Sequence, residues 1–255
     1  MLNWLKSKKP APAPERYWIA DWAYNIVMLV WFTSTVAQPF VVPTASMEST
    51  IMTGDHLIVD KIPYSPPGPI TKYILPYRDV QRGDVVVFRY PLNINLPYVK
   101  RVIGVPGDKI KFVENKLFLN GKQEAEPYAQ FTGGNTDSYA ANFPTQLPLS
   151  FIYPRGAEML RDNVKDGILT VPQGYYLCMG DNRQNSDDSR YWGLVPRENI
   201  MGKPLIVWWS FEASTEHLAT YSIEQVVNLV TNFFSKTRWE RTFMLIRAYP
   251  LGREK

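Results

Sequence analysis

One long apolar run and a series of short alternating ones divide the chain. Residues 17–37 (YWIADWAYNIVMLVWFTSTVA) form the longest apolar stretch, with Asp21 its single charge and near its start. A helix of about 20 residues spans roughly 30 Å, the thickness of a bilayer core. Trp18 and Trp22 fall near one end, where aromatic rings favour the membrane interface. The pattern predicts a transmembrane anchor over 17–37. Two other readings stay open: a cleaved signal peptide, for which Thr35-Val36-Ala37 supplies the small-x-small pattern, and a buried helix of a soluble protein.

Beyond residue 40 the texture changes to short β-type runs at 40–42, 56–61, 85–90, 98–104, 109–113, 116–119, 174–179 and 205–210. Gln81-Arg82-Gly83-Asp84 reads as a turn entering the run at 85–90, a better account of the Arg-Gly-Asp triplet than an adhesion motif. Glu114-Asn115 and Asn120-Gly121 suit hairpin turns. The stretch 62–78 holds five prolines and reads as an extended loop. Residues 120–167, with Gly133-Gly134 and few apolar runs, read as an inserted, less regular subdomain. After residue 211 a helix is expected: Ser222 can cap it, Gln225 completes a capping box, and Ile223, Val226, Val227, Val230, Phe233 and Phe234 follow helical spacing. The basic, aromatic segment KTRWERTFMLIR after it has two readings, a segment on a membrane surface and a helix packed on the domain.

Composition supports a folded, β-rich body. The 255 residues are 45% apolar and 20% charged, with 14% aromatics and 21 prolines against 15 glycines. The net charge of +4 gives no case for a nucleic-acid partner. Its placement is more informative. Lys6, Lys8, Lys9 and Arg16 precede the apolar run, and Lys236, Arg238, Arg241 and Arg247 lie near the C-terminus, which suits anionic lipid. By the positive-inside rule the N-terminal tail (1–16) is cytoplasmic and everything after residue 38 lies outside the cytoplasm. The lone Cys178 excludes an intrachain disulfide and, between Leu177 and Met179, reads as a buried thiol in a strand. His56 and His217 form no zinc motif and make a Ser-His-Asp triad a poor fit, so acid–base chemistry falls to Lys, Asp, Glu or Tyr.

Three segments carry candidate chemistry. The first, Pro43-Thr44-Ala45-Ser46-Met47-Glu48-Ser49-Thr50, begins six residues beyond the apolar run. Serine is a weak nucleophile until a base takes its proton, and alone Ser46 is an ordinary loop serine. The second is Tyr98-Val99-Lys100-Arg101-Val102-Ile103-Gly104. Alternation puts Tyr98, Lys100 and Val102 on one face, and a lysine on an otherwise apolar face loses its ammonium form more easily. Taken alone it reads first as a snorkelling surface lysine. The third, 180–190 (GDNRQNSDDSR), is dense in donors and acceptors and suits a loop that braces a site. A calcium loop fits it poorly: Arg183 intrudes, the central glycine is missing and no glutamate closes it.

Taken together and in this order behind an apolar segment, PTASM, YVKRVIGVPGD and GDNRQNSDDSRYWG resemble the bacterial type I signal peptidases, the leader peptidases of the Ser–Lys dyad family. The likeness covers the body from about 40 to 210. It implies a mainly β fold: an antiparallel β catalytic domain in two parts (38–112 and 168–211) with a smaller inserted β subdomain (113–167), behind the one N-terminal transmembrane helix; residues 212–255 carry little of the likeness and are read from their own pattern as a C-terminal amphipathic helix with a basic tail. It implies Ser46 as nucleophile and Lys100 as general base. Thr44 and the Ser46 N–H would form the oxyanion hole. Ser186 would hydrogen-bond and orient the lysine, and Asp188 and Arg190 would be a supporting ion pair. Tyr98 and Met47 would contact substrate. Asp187 falls at a variable position and receives no role. No cofactor and no metal is implied. The partners would be preproteins with signal peptides and the lipid bilayer, in the bacterial cytoplasmic membrane, with the catalytic domain extracytoplasmic. A related Ser–Lys protease, such as a self-cleaving repressor or a pilin-maturation peptidase, and an inert membrane-tethered β domain that binds exported chains are the alternatives. One departure stands out: the family often has proline where this chain has Ser49.

Overall fold

The computed structural model describes residues 17–65, 68–132, 138–145, 152–213, 215, 218 and 223–252. The basic tail 1–16, the cap residue Ser222 and the Gly133-Gly134 pair lie outside them. The first element is helix α1 (Trp18–Thr35), none of whose residues is buried. Its 18 residues rise about 27 Å. Among the described residues no helix is long and apolar enough to cross a membrane. The physical reason is that both ends are diluted by polar residues. Asp21 and Asn25 sit in the first half, and the threonines of the last turn bond back to the backbone, Thr33 to the Leu29 carbonyl and Thr35 to that of Trp31 (2.9 and 2.7 Å). The predicted span of 17–37 is thus shortened, and Ala37 already belongs to a strand.

The rest is built on antiparallel strands: β1 (Ala37–Val41), β2 (Asp55–Asp60), β3 (Val85–Tyr90), β4 (Asn93–Gly104), β5 (Lys109–Val113), β6 (Lys116–Leu119) and β7 (Lys122–Glu124). Helices α2 (Ser138–Ala141) and α3 (Pro154–Asn163) follow, then β8 (Val164–Lys165), β9 (Ile168–Thr170), β10 (Tyr175–Met179), α4 (Ser189–Trp192), β11 (Val195–Pro196) and β12 (Ile200–Ser210). The chain closes with α5 (Ile223–Thr231), α6 (Phe233–Lys236) and β13 (Met244–Leu245). The main sheet runs β1-β2-β12-β3-β4-β10-β11, with β13 on β12. Strand β12 therefore joins two hairpin-like pairs that are far apart in sequence, and it bends to do so through register shifts at 204–206 and 207–209.

The second sheet runs β7-β6-β5-β9-β8. Its hairpins turn at Glu114-Asn115, Asn120-Gly121 and Asp166-Gly167, all with positive φ (48°, 64°, 51°, 85°, 52° and 70°). That is the requirement of a two-residue hairpin turn whose twist matches its strands. The sheet begins at Lys109, so 109–112 stand with it rather than with the first β part. The stretch 120–167 is also more regular than its composition suggests. It holds α3, a short helix started by Pro154, and β8, which forms a hairpin with β9 just beyond it. The two sheets share a core: Ile110, Leu117 and Leu169 pack in one cluster with Leu177 and Met179 of β10.

The C-terminal segment packs on the domain, but as a strand and turns rather than as the helix of one reading. Residues 237–252 turn back onto the domain, with β13 paired to β12. Arg241 forms an ion pair with the buried Asp55 at 2.6 Å, and Arg238 donates to the Thr53 carbonyl at 2.9 Å. Around these anchors Phe234, Trp239, Phe243 and Leu245 remain exposed.

Candidate active site

Ser46 lies in a single 3-10 turn, Ala45–Met47, entered from an extended Thr44. Met47 drops into the core with Val42, Ile51 and Leu57 and pins this turn against the main sheet. Its side chain is fully buried and does not line the cleft, so Met47 stands behind the serine rather than against substrate. Thr44 Oγ1 lies 3.4 Å from Ser46 Oγ. Three residues on, Ser49 has φ +98°, and its hydroxyl donates to the Tyr128 carbonyl at 2.6 Å. Proline cannot adopt that φ, so the departure at this position marks a loop of different shape.

Lys100 projects from the middle of β4, opposite Val86 of β3, on the face that carries Tyr98 and Val102. It is 3% exposed, and its Nζ donates to Ser46 Oγ across 54 residues of sequence. Burial pushes the Lys100 ammonium down to about 8, opposed by the nearby Asp188 and Asp187 carboxylates and assisted by Arg190. At that value a useful fraction of the amine is neutral near pH 7, and a neutral amine can accept the hydroxyl proton.

The loop 180–190 closes the site from the other side. Asp188 is fully buried and receives Arg190 Nε and Nη2, each at 2.9 Å, and the Gly180 N–H at 3.1 Å. Burial alone would raise its carboxyl, but Arg190 and these donors hold it below the ordinary carboxylate range. Ser186 behaves differently from expectation. Its Oγ is buried without a hydrogen-bond partner and lies against Gly180, not on Lys100. The lysine is instead committed to Ser46.

Several residues of this loop have parts that the sequence reading left unassigned. The Ser46 carbonyl accepts from the Asn182 N–H at 3.1 Å. A Cβ on Gly180 would sit 2.4 Å from that carbonyl oxygen and 2.3 Å from Ser186 Oγ, so only glycine allows the approach. Asp181 and Arg101 form a buried bidentate pair (2.8 and 2.7 Å), shared with the Thr50 hydroxyl, that ties all three motif segments together. The signal for this pair was present, since Arg101 and Asp181 stand inside the motifs and charged residues at strand ends are buried only when paired.

A cleft of about 300 Å³ opens beside Ser46. Phe40, Val42, Leu57, Val87 and Val99 form its apolar floor, and Tyr98, Lys100, Asn185 and Asp187 complete its walls. Tyr98 stacks on Tyr90 with ring centres 4.3 Å apart and planes 8° from parallel. Strand β1, which carries part of this lining, is at the edge of the main sheet. Cys178 is buried in β10, and burial pushes its thiol up. Among the described residues no group of His, Cys, Asp and Glu is arranged to hold a metal ion.

The family model described as signal peptidase, peptidase S26, matches residues 16–209. Signal peptidase I of Pseudomonas fluorescens is 40% identical over 204 residues, covering 74% of this chain and 71% of that protein. The signal peptidase I of Pseudomonas aeruginosa PAO1 is 40% identical over 192 residues, covering 70% and 66%. That of Aquifex aeolicus is 31% identical over 217 residues, covering 72% and 80%. A match over three quarters of the chain that contains the serine, the buried lysine and the loop 180–190 leaves one assignment: the chain belongs to the signal peptidase family, the S26 serine peptidases.

Proposed function

We propose that this protein is a signal peptidase I that cleaves signal peptides from exported preproteins with Ser46 as nucleophile and neutral Lys100 as general base. The contact between Ser46 Oγ and the buried Lys100 Nζ, at the wall of an apolar cleft, carries this reading. Lys100 Nζ takes the hydroxyl proton as Ser46 Oγ attacks the scissile carbonyl. The Ser46 N–H and the Thr44 hydroxyl receive the developing oxyanion, a term typically worth about 3–4 kcal/mol per donor. The protonated lysine then gives its proton to the leaving amine. A water, deprotonated by the same nitrogen, releases the acyl group from Ser46. Asp188 and Arg190 hold the loop 180–190 and set the field at Lys100, and Tyr98 forms one wall for the substrate. Ser186 can serve the lysine once substrate draws Ser46 away, since its hydroxyl has no other partner.

The reading includes a bilayer partner and a single-pass anchor with the catalytic body outside the cytoplasm. Two features support membrane contact. Helix α1 buries none of its apolar side chains, with Trp22, Leu29 and Trp31 more than half exposed. The C-terminal segment exposes Phe234, Trp239, Phe243 and Leu245 among basic residues, with the Phe234 and Trp239 rings stacked. Cleavage of a preprotein in detergent by wild type, Ser46→Ala and Lys100→Ala tests the chemistry. Retained cleavage in either variant removes the dyad. Alkaline extraction of membranes tests the anchor, and release of the full chain into the supernatant removes it.

A further inference from the structure

Among the described residues that line the cleft beside Ser46, only Lys100 and Asp187 have side chains that carry charge near neutral pH. The two consecutive carboxylates of the loop are turned in opposite senses. Asp188 is fully buried and spent on Arg190, whereas Asp187 is exposed at the rim of the cleft. The Tyr153 hydroxyl, at the start of α3, hydrogen-bonds the Asp187 carboxylate and holds it there. The stacked Tyr98 and Tyr90 rings stand close enough for its charge to act on both hydroxyls.

Resting on the peptidase reading above, we propose that Asp187 is a specificity-determining residue that favours substrates with a cationic side chain close to the scissile bond and disfavours those with an acidic one. Proton transfer from Ser46 requires neutral Lys100. In the competent state the cleft therefore carries one net charge, the carboxylate of Asp187. A lysine or arginine side chain of the substrate reaching that rim meets an anion and, beside it, the Tyr98 ring, whose face attracts cations. A glutamate or aspartate there meets only repulsion. Each exposed charge contact is worth about a 1.5- to 5-fold change. Attraction and repulsion together thus set a ratio of about tenfold between a lysine and a glutamate substrate.

The test uses the full chain in detergent and a set of fluorogenic peptides. Each carries Lys, Gln or Glu in turn at the positions flanking the small residues of one cleavage site. At one or more positions kcat/KM for the Lys peptide should exceed that for the Glu peptide about tenfold. The ratio should fall to about one in Asp187→Asn and invert in Asp187→Lys. It should also shrink in 1 M salt, where screening length drops to about 3 Å. A wild-type ratio of one at every position overturns the proposal without any variant. So does a ratio that survives in Asp187→Asn and Asp187→Lys. Cleavage of the Gln peptides separates the two levels: wild type that cuts them without charge preference loses only the role of Asp187, whereas wild type that cuts none of the peptides loses the peptidase reading and this role with it.

Discussion

Raising the pH from 7 to 9 should increase kcat/KM about tenfold and then stop, because Lys100 changes from mostly protonated to mostly neutral in that interval. Burial brings its ammonium down to about 8 from an ordinary 10.5. The neutral fraction is then about one tenth at pH 7, one half at pH 8 and nine tenths at pH 9. With the ordinary value the same interval would give about a hundredfold rise, still climbing beyond pH 10. The profile of kcat/KM reports the free enzyme, which is the state described above. The assay is a fluorogenic signal-peptide substrate in overlapping buffers at constant ionic strength, with an intact-protein control at each pH. A single ascending limb with a midpoint within about a unit of 8 is expected. A flat profile from pH 6 upward, or a rise that continues past pH 10, refutes the neutral-lysine step. The mechanism predicts the limb because only unprotonated Nζ can receive the Ser46 proton, and Nζ already lies within hydrogen-bond reach of Ser46 Oγ.

The same shift has a stability consequence: between about 8 and 10.5 the unfolded chain holds more protons than the folded one, so stability rises with pH there, and at pH 7 the whole cost of about 3 kcal/mol is present. Lys100→Met should therefore abolish cleavage yet raise stability at pH 7 by about 1–3 kcal/mol in urea unfolding, with the gain shrinking as the pH rises from about 8 to 10.5. Thr44→Val should lower kcat about a hundredfold with little change in KM, measured on the same peptide, if its hydroxyl meets the oxyanion. Gly180→Ala forces a methyl group to within 2.4 Å of the Ser46 carbonyl oxygen and should cost about a hundredfold in kcat/KM by displacing the serine. Ser49→Pro, which introduces the residue common at this position in the family, should destabilise this chain by about 1–3 kcal/mol in thermal or urea unfolding, since φ +98° is closed to proline.

The elements legible in the sequence are those whose cause is local. The runs at 85–90, 109–113 and 116–119 are strands with those bounds, because alternation of side chains and the positive-φ turns at Glu114-Asn115 and Asn120-Gly121 act over a few residues. The β8–β9 hairpin escaped only because its strands are two and three residues long, although Asp166-Gly167 is an equally plain turn signal. Alternation put Lys100 on one face with Tyr98 and Val102 but did not decide its burial, since a lysine there can also snorkel to the surface. Tertiary structure alone decided the rest. It brings Ser46 to Lys100, inserts β12 between β2 and β3, ties Arg241 near the C-terminus to Asp55, and parts Asp187 from Asp188 at the cleft rim. It also turns Met47 into the core and leaves Ser186 against Gly180. Such contacts depend on how distant segments pack, and a neighbouring pair of identical carboxylates contains nothing that says which will be buried on an arginine and which will face the substrate.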